Sequence, residues 1–393
     1  MNRSGRGLDR QEGVVASDLS ADPIRDVAME RVRFWALLLA FFTFPLIWLG
    51  GLVTTQDAGM AVPDWPGTFG YNLWLYPIST WLLGPFDLFV EHGHRLLATF
   101  VGLLAICLVG SSWRPQVSRS MRWWSVAVLA AVIGQGILGG LRVRLDERVM
   151  AMIHGCTGPL FFAMAVATSV WAGRTWNSSK LQVGQVVPTR WLWMSRAILG
   201  AVLTQLVLGA QVRHIVPWAL PSQFTFWVHL HLTFAAVVTL LILAAWLGRW
   251  SSPLRQSLAI RWPVDGLAAL LLLQLSLGVA TWFVSYASPW PISLGGLDRY
   301  VLQAKGYFES WVITGHQATG SLLIGLSTAW WLWMGEAGRR SGMQSEGIQS
   351  EGNAPTVARG RSMGDGLVAG VAETRGRIGI PSTVSAGENR ELG

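Results

Sequence analysis

Long apolar runs separated by short polar breaks occupy the chain from residue 34 to residue 334. Eight stand out, at 34–53, 95–113, 123–141, 149–173, 191–212, 224–248, 262–286 and 310–334. Each is close to the roughly 20 residues that an α-helix needs to cross the hydrocarbon of a bilayer. The pattern predicts an all-α polytopic membrane protein with eight transmembrane helices. A cytoplasmic N-terminal tail (1–33), a cytoplasmic linker (174–190) and a Gly/Ser/Arg/Glu-rich tail (335–393), expected to be disordered, flank them.

Composition agrees with that reading. Of 393 residues, 51% are hydrophobic and only 13% charged, and mean hydropathy is +0.40. A soluble protein carries about 25% charged residues, so soluble globular classes are excluded. The net charge of +8 does not point to nucleic acid, because the basic residues sit in loops and tails. Their distribution sets orientation instead. Arg25, Arg31 and Arg33 precede the first run, whereas residues 54–90 contain no Lys or Arg. Arg114, Arg119 and Arg122 follow the second run, Arg174, Lys180 and Arg190 the fourth, Arg249, Arg255 and Arg261 the sixth, and Arg339 and Arg340 the last. Both termini are expected in the cytoplasm. The first 30 residues hold Asp9, Glu12, Asp18, Asp22, Asp26 and Glu30, too acidic for a mitochondrial presequence. With no cleavable signal expected, a bacterial cytoplasmic membrane is the simplest location. Cys107 and Cys156 lie at different depths, so they read as small buried residues and not as a disulfide.

The helices contain an internal repeat. Gln135-Gly-Ile-Leu-Gly-Gly, Gln205-Leu-Val-Leu-Gly-Ala and Gln274-Leu-Ser-Leu-Gly-Val recur in the third, fifth and seventh runs, with Leu49-Gly-Gly in the first. The fourth and eighth share His154-Gly-Cys-Thr-Gly-Pro-Leu and His316-Gln-Ala-Thr-Gly-Ser-Leu. His94-Arg-Leu-Leu-Ala and His231-Leu-Thr-Phe-Ala pair the second with the sixth. Two tandem four-helix bundles, 34–173 and 191–334, follow as a parallel repeat.

Each even-numbered run carries a histidine near its outer end: His94, His154, His231 and His316. A single one could be a packing residue; four at matched depth, two per bundle, read as ligands. One turn further in stand Ala98, Gly158, Ala235 and Gly320, which leave a cleared patch on the same helix face. A flat macrocycle needs such clearance, and paired imidazoles from facing helices make an axial pair for heme. Two heme sites are expected, His94 with His154 and His231 with His316. His92 and His229 fall about 200° away round their helices and read as interfacial, with His229 the alternative to His231. His214 defaults to the surface.

The halves are not equivalent. Glu91 shares the face of His94, whereas Val228 occupies the matching place beside His231. A partly buried carboxylate there suits proton transfer. The sparsely charged stretch 54–90, punctuated by Gly, Pro and Trp, reads as a lid over the first site. Arg142 and Arg213, together with Arg95, are candidate partners for heme propionates, with interfacial snorkelling the alternative.

Gly50-Gly-Leu-Val-Thr, Ala58-Gly-Met-Ala-Val-Pro-Asp-Trp-Pro, Glu91-x-x-His94-Arg95 and the histidines of the later runs are similar to those of the heme A synthase family. The resemblance covers roughly residues 34–334. It implies one heme b, held by His231 and His316, and a heme O substrate, ligated by His94 and His154, with Glu91 catalytic. The implied reaction takes one porphyrin methyl to a formyl group by successive hydroxylations and loss of water, for the assembly of terminal oxidases. The outer-loop cysteine pair of some bacterial members is absent. Implied partners are heme O, membrane lipid and an electron acceptor, with a heme O synthase and a second copy of the chain as candidates. A bis-histidine diheme b-type cytochrome, which carries electrons and needs no Glu91, is the rival reading.

Overall fold

A computed structural model describes residues 23–145, 148–173, 188–216, 218–251, 258–286 and 306–352, with side chains of the last helix described to Arg339. The expectations for the tails 1–22 and 353–393, and for Arg174, Lys180 and Arg255, lie outside the described residues. Among the described residues the chain forms nine α-helices and no strand beyond an isolated bridge between Thr68 and Tyr71. They are α1 (Pro23–Thr55), α2 (Ile78–Leu82), α3 (Phe86–Ser112), α4 (Arg119–Leu145), α5 (Arg148–Ala172), α6 (Thr189–Arg213), α7 (Pro221–Gly248), α8 (Leu258–Tyr286) and α9 (Tyr307–Gly352).

All but α2 correspond to the apolar runs. Several start at proline, whose fixed φ and missing N–H suit a first turn. Pro85 precedes α3, Pro188 precedes α6, and Pro221 opens α7, where the Gln223 side chain accepts from the Leu220 N–H. The last helix runs on past residue 334 to Gly352; its final turn belongs to a second unit that begins at Gly347.

Seven helices, α1 and α3–α8, are long and apolar enough to cross a membrane, one fewer than the eight expected. The eighth, α9, forms but is less apolar, and packing explains why. Thr314, Thr319, Ser321, Ser327 and Thr328 are buried along it. A helix enclosed by other helices gains from small polar residues that allow close approach and bond back to their own backbone. Thr328 does so, donating to the Ile324 carbonyl at 2.8 Å.

Buried apolar side chains fall into two principal groups. Val32, Leu39, Leu104, Leu108, Met121, Val128 and Phe161 join α1, α3, α4 and α5. Ile198, Val202, Ile242, Leu267, Ile324 and Trp330 join α6, α7, α8 and α9. Contacts of α9 link the groups: Trp311 lies 5.5 Å from Trp48 of α1, and Gly325 fits against Phe162 of α5 so closely that a Cβ there would stand 2.6 Å from the ring. Cys107, expected to be buried, faces outward from α3, since an apolar thiol on the lipid side of a spanning helix loses nothing; Cys156 is half-buried, and both are free thiols.

Candidate heme sites and their lid

Every one of the four histidines rests on a glycine of another helix. A Cβ added to Gly50 of α1 would stand 3.0 Å from Cε1 of His94, and one on Gly139 of α4 would stand 3.4 Å from Cε1 of His154. The same approach joins Gly209 of α6 to His231 at 3.2 Å and Gly278 of α8 to His316 at 3.0 Å. These are the glycines of the Leu-Gly pairs found in the sequence. The motif gives the imidazole a flat seat that any side chain would occupy.

Four residues before each glycine stands a second contact. His316 Nδ1 donates to the Gln274 carbonyl at 3.2 Å, and the Gln274 amide lies 3.4 Å from Nε2. The Gln205 amide reaches the His231 ring at 3.1 Å and the His231 carbonyl at 3.0 Å. His94 approaches the Leu46 carbonyl and His154 that of Gln135, yet their Nδ1 atoms are buried without a hydrogen-bond partner. An Nδ1 that donates to a carbonyl leaves Nε2 as the free lone pair, the arrangement a metal-binding histidine needs.

These residues fit heme. The His231 and His316 rings stand 6.5 Å apart, centroid to centroid. Two imidazoles sharing one metal at about 2 Å per nitrogen bond are spaced by about 6 Å. In the first half His94 and His154 lie within charge contact of one another. A Cβ on Gly158, one turn inward of His154, would meet nothing within 4 Å, so the patch beside that histidine is open. Among the described residues no three His, Cys, Asp or Glu side chains converge as a directly held ion requires.

Among the described residues, it is the first half that is covered. Between α1 and α3 the chain folds through two 3-10 turns, Ala58–Met60 and Leu73–Leu75, and the short α2. Arg95 holds this loop: Nη1 donates to the Asp64 and Gly67 carbonyls at 2.6 and 2.8 Å, and Nη2 to the Val62 carbonyl at 2.7 Å. Nη2 also pairs with Glu91 Oε1 at 2.6 Å, while Glu91 Oε2 accepts the Val62 N–H at 2.7 Å. Asp64 accepts the N–H groups of Phe69 and Gly70, both at positive φ. Burial raises the Asp64 carboxyl, but these two bonds and the Arg95 charge outweigh it and hold the group below its ordinary value. Trp65 lies on Gly140, where a Cβ would come within 2.5 Å of the indole.

Two histidines differ from the sequence expectation. His92, read as interfacial, is 2% exposed, hydrogen-bonded to Thr68 Oγ1 at 2.9 Å and packed between Tyr76 and Trp81. It is a lid anchor, because the loop folds back over the face of α3 opposite His94. His214, assigned to the surface, is half-buried, and burial followed by the charges of Arg213, Arg142 and Arg148 pushes it down to about 4. His229 is exposed and bonded to the Thr225 carbonyl of its own helix.

The arginines divide by partner. Arg95 spends both terminal nitrogens on the loop and Glu91. Arg142, in the last turn of α4, packs under Gly59 of the loop and lies within charge contact of Glu91, His94 and His154. Arg213 reaches across from α6 to the Gly51 carbonyl at 3.2 Å and Thr55 Oγ1 at 2.8 Å of α1. Its charge also acts on Arg142 and His316. Sequence reasoning missed the glycine seats. The Gln-x-x-x-Gly repeat was visible, but its job is not, since the partner histidine lies on another helix.

A multi-helix membrane protein with paired histidines on opposed helices is the class that this fold and site define. Residues 84–220, which include Glu91, His94, Arg142, His154 and Arg213, match the family described as cytochrome oxidase assembly protein. The chain is 26% identical over 233 residues to heme A synthase of a Caulobacter species, an alignment covering 50% of this chain and 63% of the relative. It is 28% identical over 225 residues to heme A synthase of Caulobacter vibrioides, again covering 50% and 63%, and 23% identical over 224 residues to that of Hyphomonas neptunium. The alignments thus span less than two thirds of these relatives. These matches show what the chain is similar to: proteins of the cytochrome oxidase assembly and heme A synthase kind, over about half of its length.

Proposed function

We propose that the chain is a heme A synthase, an oxidoreductase that converts one methyl group of heme O to a formyl group. The observation that carries this is an asymmetry, among the described residues, between two otherwise alike histidine sites: one lies under a clamped lid beside the buried Glu91, whereas the other has Val228 at the matching position and only residues 214–220 between α6 and α7. On this reading His94 and His154 hold the substrate heme O, and His231 and His316 hold heme b in the second four-helix group. Bound there, heme b supplies one-electron transfer. Each of two hydroxylations adds a hydroxyl with water as the oxygen source, releases two protons, and passes two electrons to an external acceptor; the resulting geminal diol then loses water to leave the formyl group.

The residues of the first half then have separate tasks. The loop over 56–85 excludes water, and Arg95 keeps it shut. Glu91, three residues before His94, is the proton acceptor; each of its oxygens takes one hydrogen bond and retains a further lone pair. Arg142 and Arg213 are the propionate partners. Arg95 is left out of that set, because its terminal nitrogens are already engaged. With the basic residues on the cytoplasmic side, both termini face the cytoplasm and the sites lie near the outer face of the cytoplasmic membrane.

The test is heme extraction from cells that co-express the protein with a heme O synthase in a host lacking heme A. A heme A or hydroxylated-heme peak that disappears in both Glu91→Ala and Glu91→Gln is expected. If wild-type cells yield only heme O and heme B, while the purified protein keeps two low-spin hemes, the chain is an electron carrier and the proposal fails.

A further inference from the structure

His231 and His316 are held by different kinds of neighbour. His316 Nδ1 donates to the Gln274 backbone carbonyl at 3.2 Å, an acceptor whose polarity is fixed. For His231, among the described residues, the one polar group within hydrogen-bond distance of the ring is the side-chain amide of Gln205. Its nitrogen lies 3.1 Å from Nδ1 and 3.3 Å from Nε2. The glycine seat decides which edge of the ring faces that amide's helix. A Cβ on Gly209 would stand 3.2 Å from Cε1 and 3.6 Å from Nδ1, with Nε2 beyond 4 Å. The Cε1–Nδ1 edge therefore faces α6, and Nε2 is the nitrogen turned away from it. We propose that Gln205 is a positioning residue: its Oε1 accepts the Nδ1–H of His231, fixes the ring for ligation through Nε2, and so sets the reduction potential of the second-half iron. The inference rests on the functional reading above, which gives heme b to this half.

The chemistry of imidazole demands an acceptor there. A ring that gives its Nε2 lone pair to a metal carries its proton on Nδ1, so Nδ1 becomes a donor. Gln205 turns its amide nitrogen toward Nδ1, while its Oε1 is buried without a hydrogen-bond partner. A half-turn of the terminal amide exchanges the two atoms and satisfies Oε1 and Nδ1–H together. The bond given up is the one to the His231 carbonyl at 3.0 Å. That carbonyl lies inside α7, where the N–H four residues on already serves it. An acceptor on Nδ1 makes the ligand more basic, and a more basic ligand favours ferric over ferrous iron.

The first half is built differently. Leu46 stands at the matching place in α1, and Gln135, at that place opposite His154, leaves the histidine's Nδ1 buried without a partner. A ligand of fixed orientation and tuned basicity suits a heme that stays to carry electrons.

The test is a potentiometric titration of the full-length protein in lipid nanodiscs. It reads the midpoint potential of the low-spin heme whose absorption His231→Ala abolishes. Gln205→Leu, which keeps the bulk and removes the amide, should raise that potential by about 59 mV. This is the one-electron equivalent of a tenfold loss in preference for ferric iron, the lower end of what such partners contribute. Gln205→Glu, which keeps an acceptor of greater charge, should lower it. A packing role would not move two variants of similar size in opposite directions. Gln135→Leu, the same change at the matching place in the first half, should leave the potential where it is. An unmoved potential in Gln205→Leu, shifts of one sign in both Gln205 variants, or heme lost from both would overturn the inference and leave the functional reading intact. If purified wild type holds no b-type heme that His231→Ala removes, the functional reading falls and the inference with it.

Discussion

At the scale of single residues the decisive dimension is the space of one methyl group. Gly278→Ala would bring a Cβ to 3.0 Å from His316, closer than a carbon contact allows, so the ring or the helix has to shift. Overpacking of this kind costs about 1–3 kcal/mol. The expected outcome is an altered absorption and electron-resonance spectrum of the second-half heme, with heme uptake in the first half unchanged. Gly139→Ala, at 3.4 Å, is an ordinary contact and should perturb its histidine less. Gly158→Ala meets no protein atom, so thermal stability should hold while the first half binds porphyrin more weakly. Asp64 supplies a pH test. Its carboxyl is held below the ordinary value in the folded loop, so its stabilising bonds are complete above about pH 4 and fade as pH falls through the lowered value. Exchange protection of the Phe69 and Gly70 amides should therefore stay level from pH 8 to 5; a fall within that range would contradict the assignment.

At the scale of elements the lid depends on one guanidinium. Arg95 makes three bonds to loop carbonyls and pairs with Glu91, with the two side chains 10% and 3% exposed. Lysine keeps the charge but cannot reach three carbonyls and a carboxylate from one point. Breaking a buried pair costs about 3–5 kcal/mol, and Arg95→Lys should recover only part of what Arg95→Leu loses. Limited proteolysis within 56–85 is expected to rise in that order, wild type, lysine, leucine. Thr68→Val, which removes only the bond to His92, should fall near wild type. The lid was legible as an unusual stretch of Gly, Pro and Trp. Its fastening was not, because Arg95 bonds to backbone oxygens that carry no sequence signature.

At the scale of the molecule, two apolar cores lie side by side, joined by α9 and α6 against α1 (Trp311 on Trp48, Thr314 near Thr55, Arg213 on Gly51) and by Gly325 of α9 against Phe162 of α5. Gly325 is where Phe162 of the first group enters the second. Gly325→Leu should wedge them apart, lowering stability by about 1–3 kcal/mol in a detergent melt. Heme lost from both halves together is the expected result; loss from the second alone would show that the groups do not depend on this contact. The burial of α9 also explains why its hydropathy is the lowest of the long helices. A helix surrounded by protein needs close approach more than it needs oiliness.

Much of this was set by the sequence alone, because crossing a bilayer demands some 20 apolar residues in a row and a charged side chain within them is costly. Those two constraints mark the spanning helices, the four histidines and the lone carboxylate beside one of them. Which glycine seats which histidine, that His92 faces the lid, and that Arg95 serves the loop were decided by tertiary structure. Each depends on a distance between segments remote in the chain, and such distances exist only once the helices have packed.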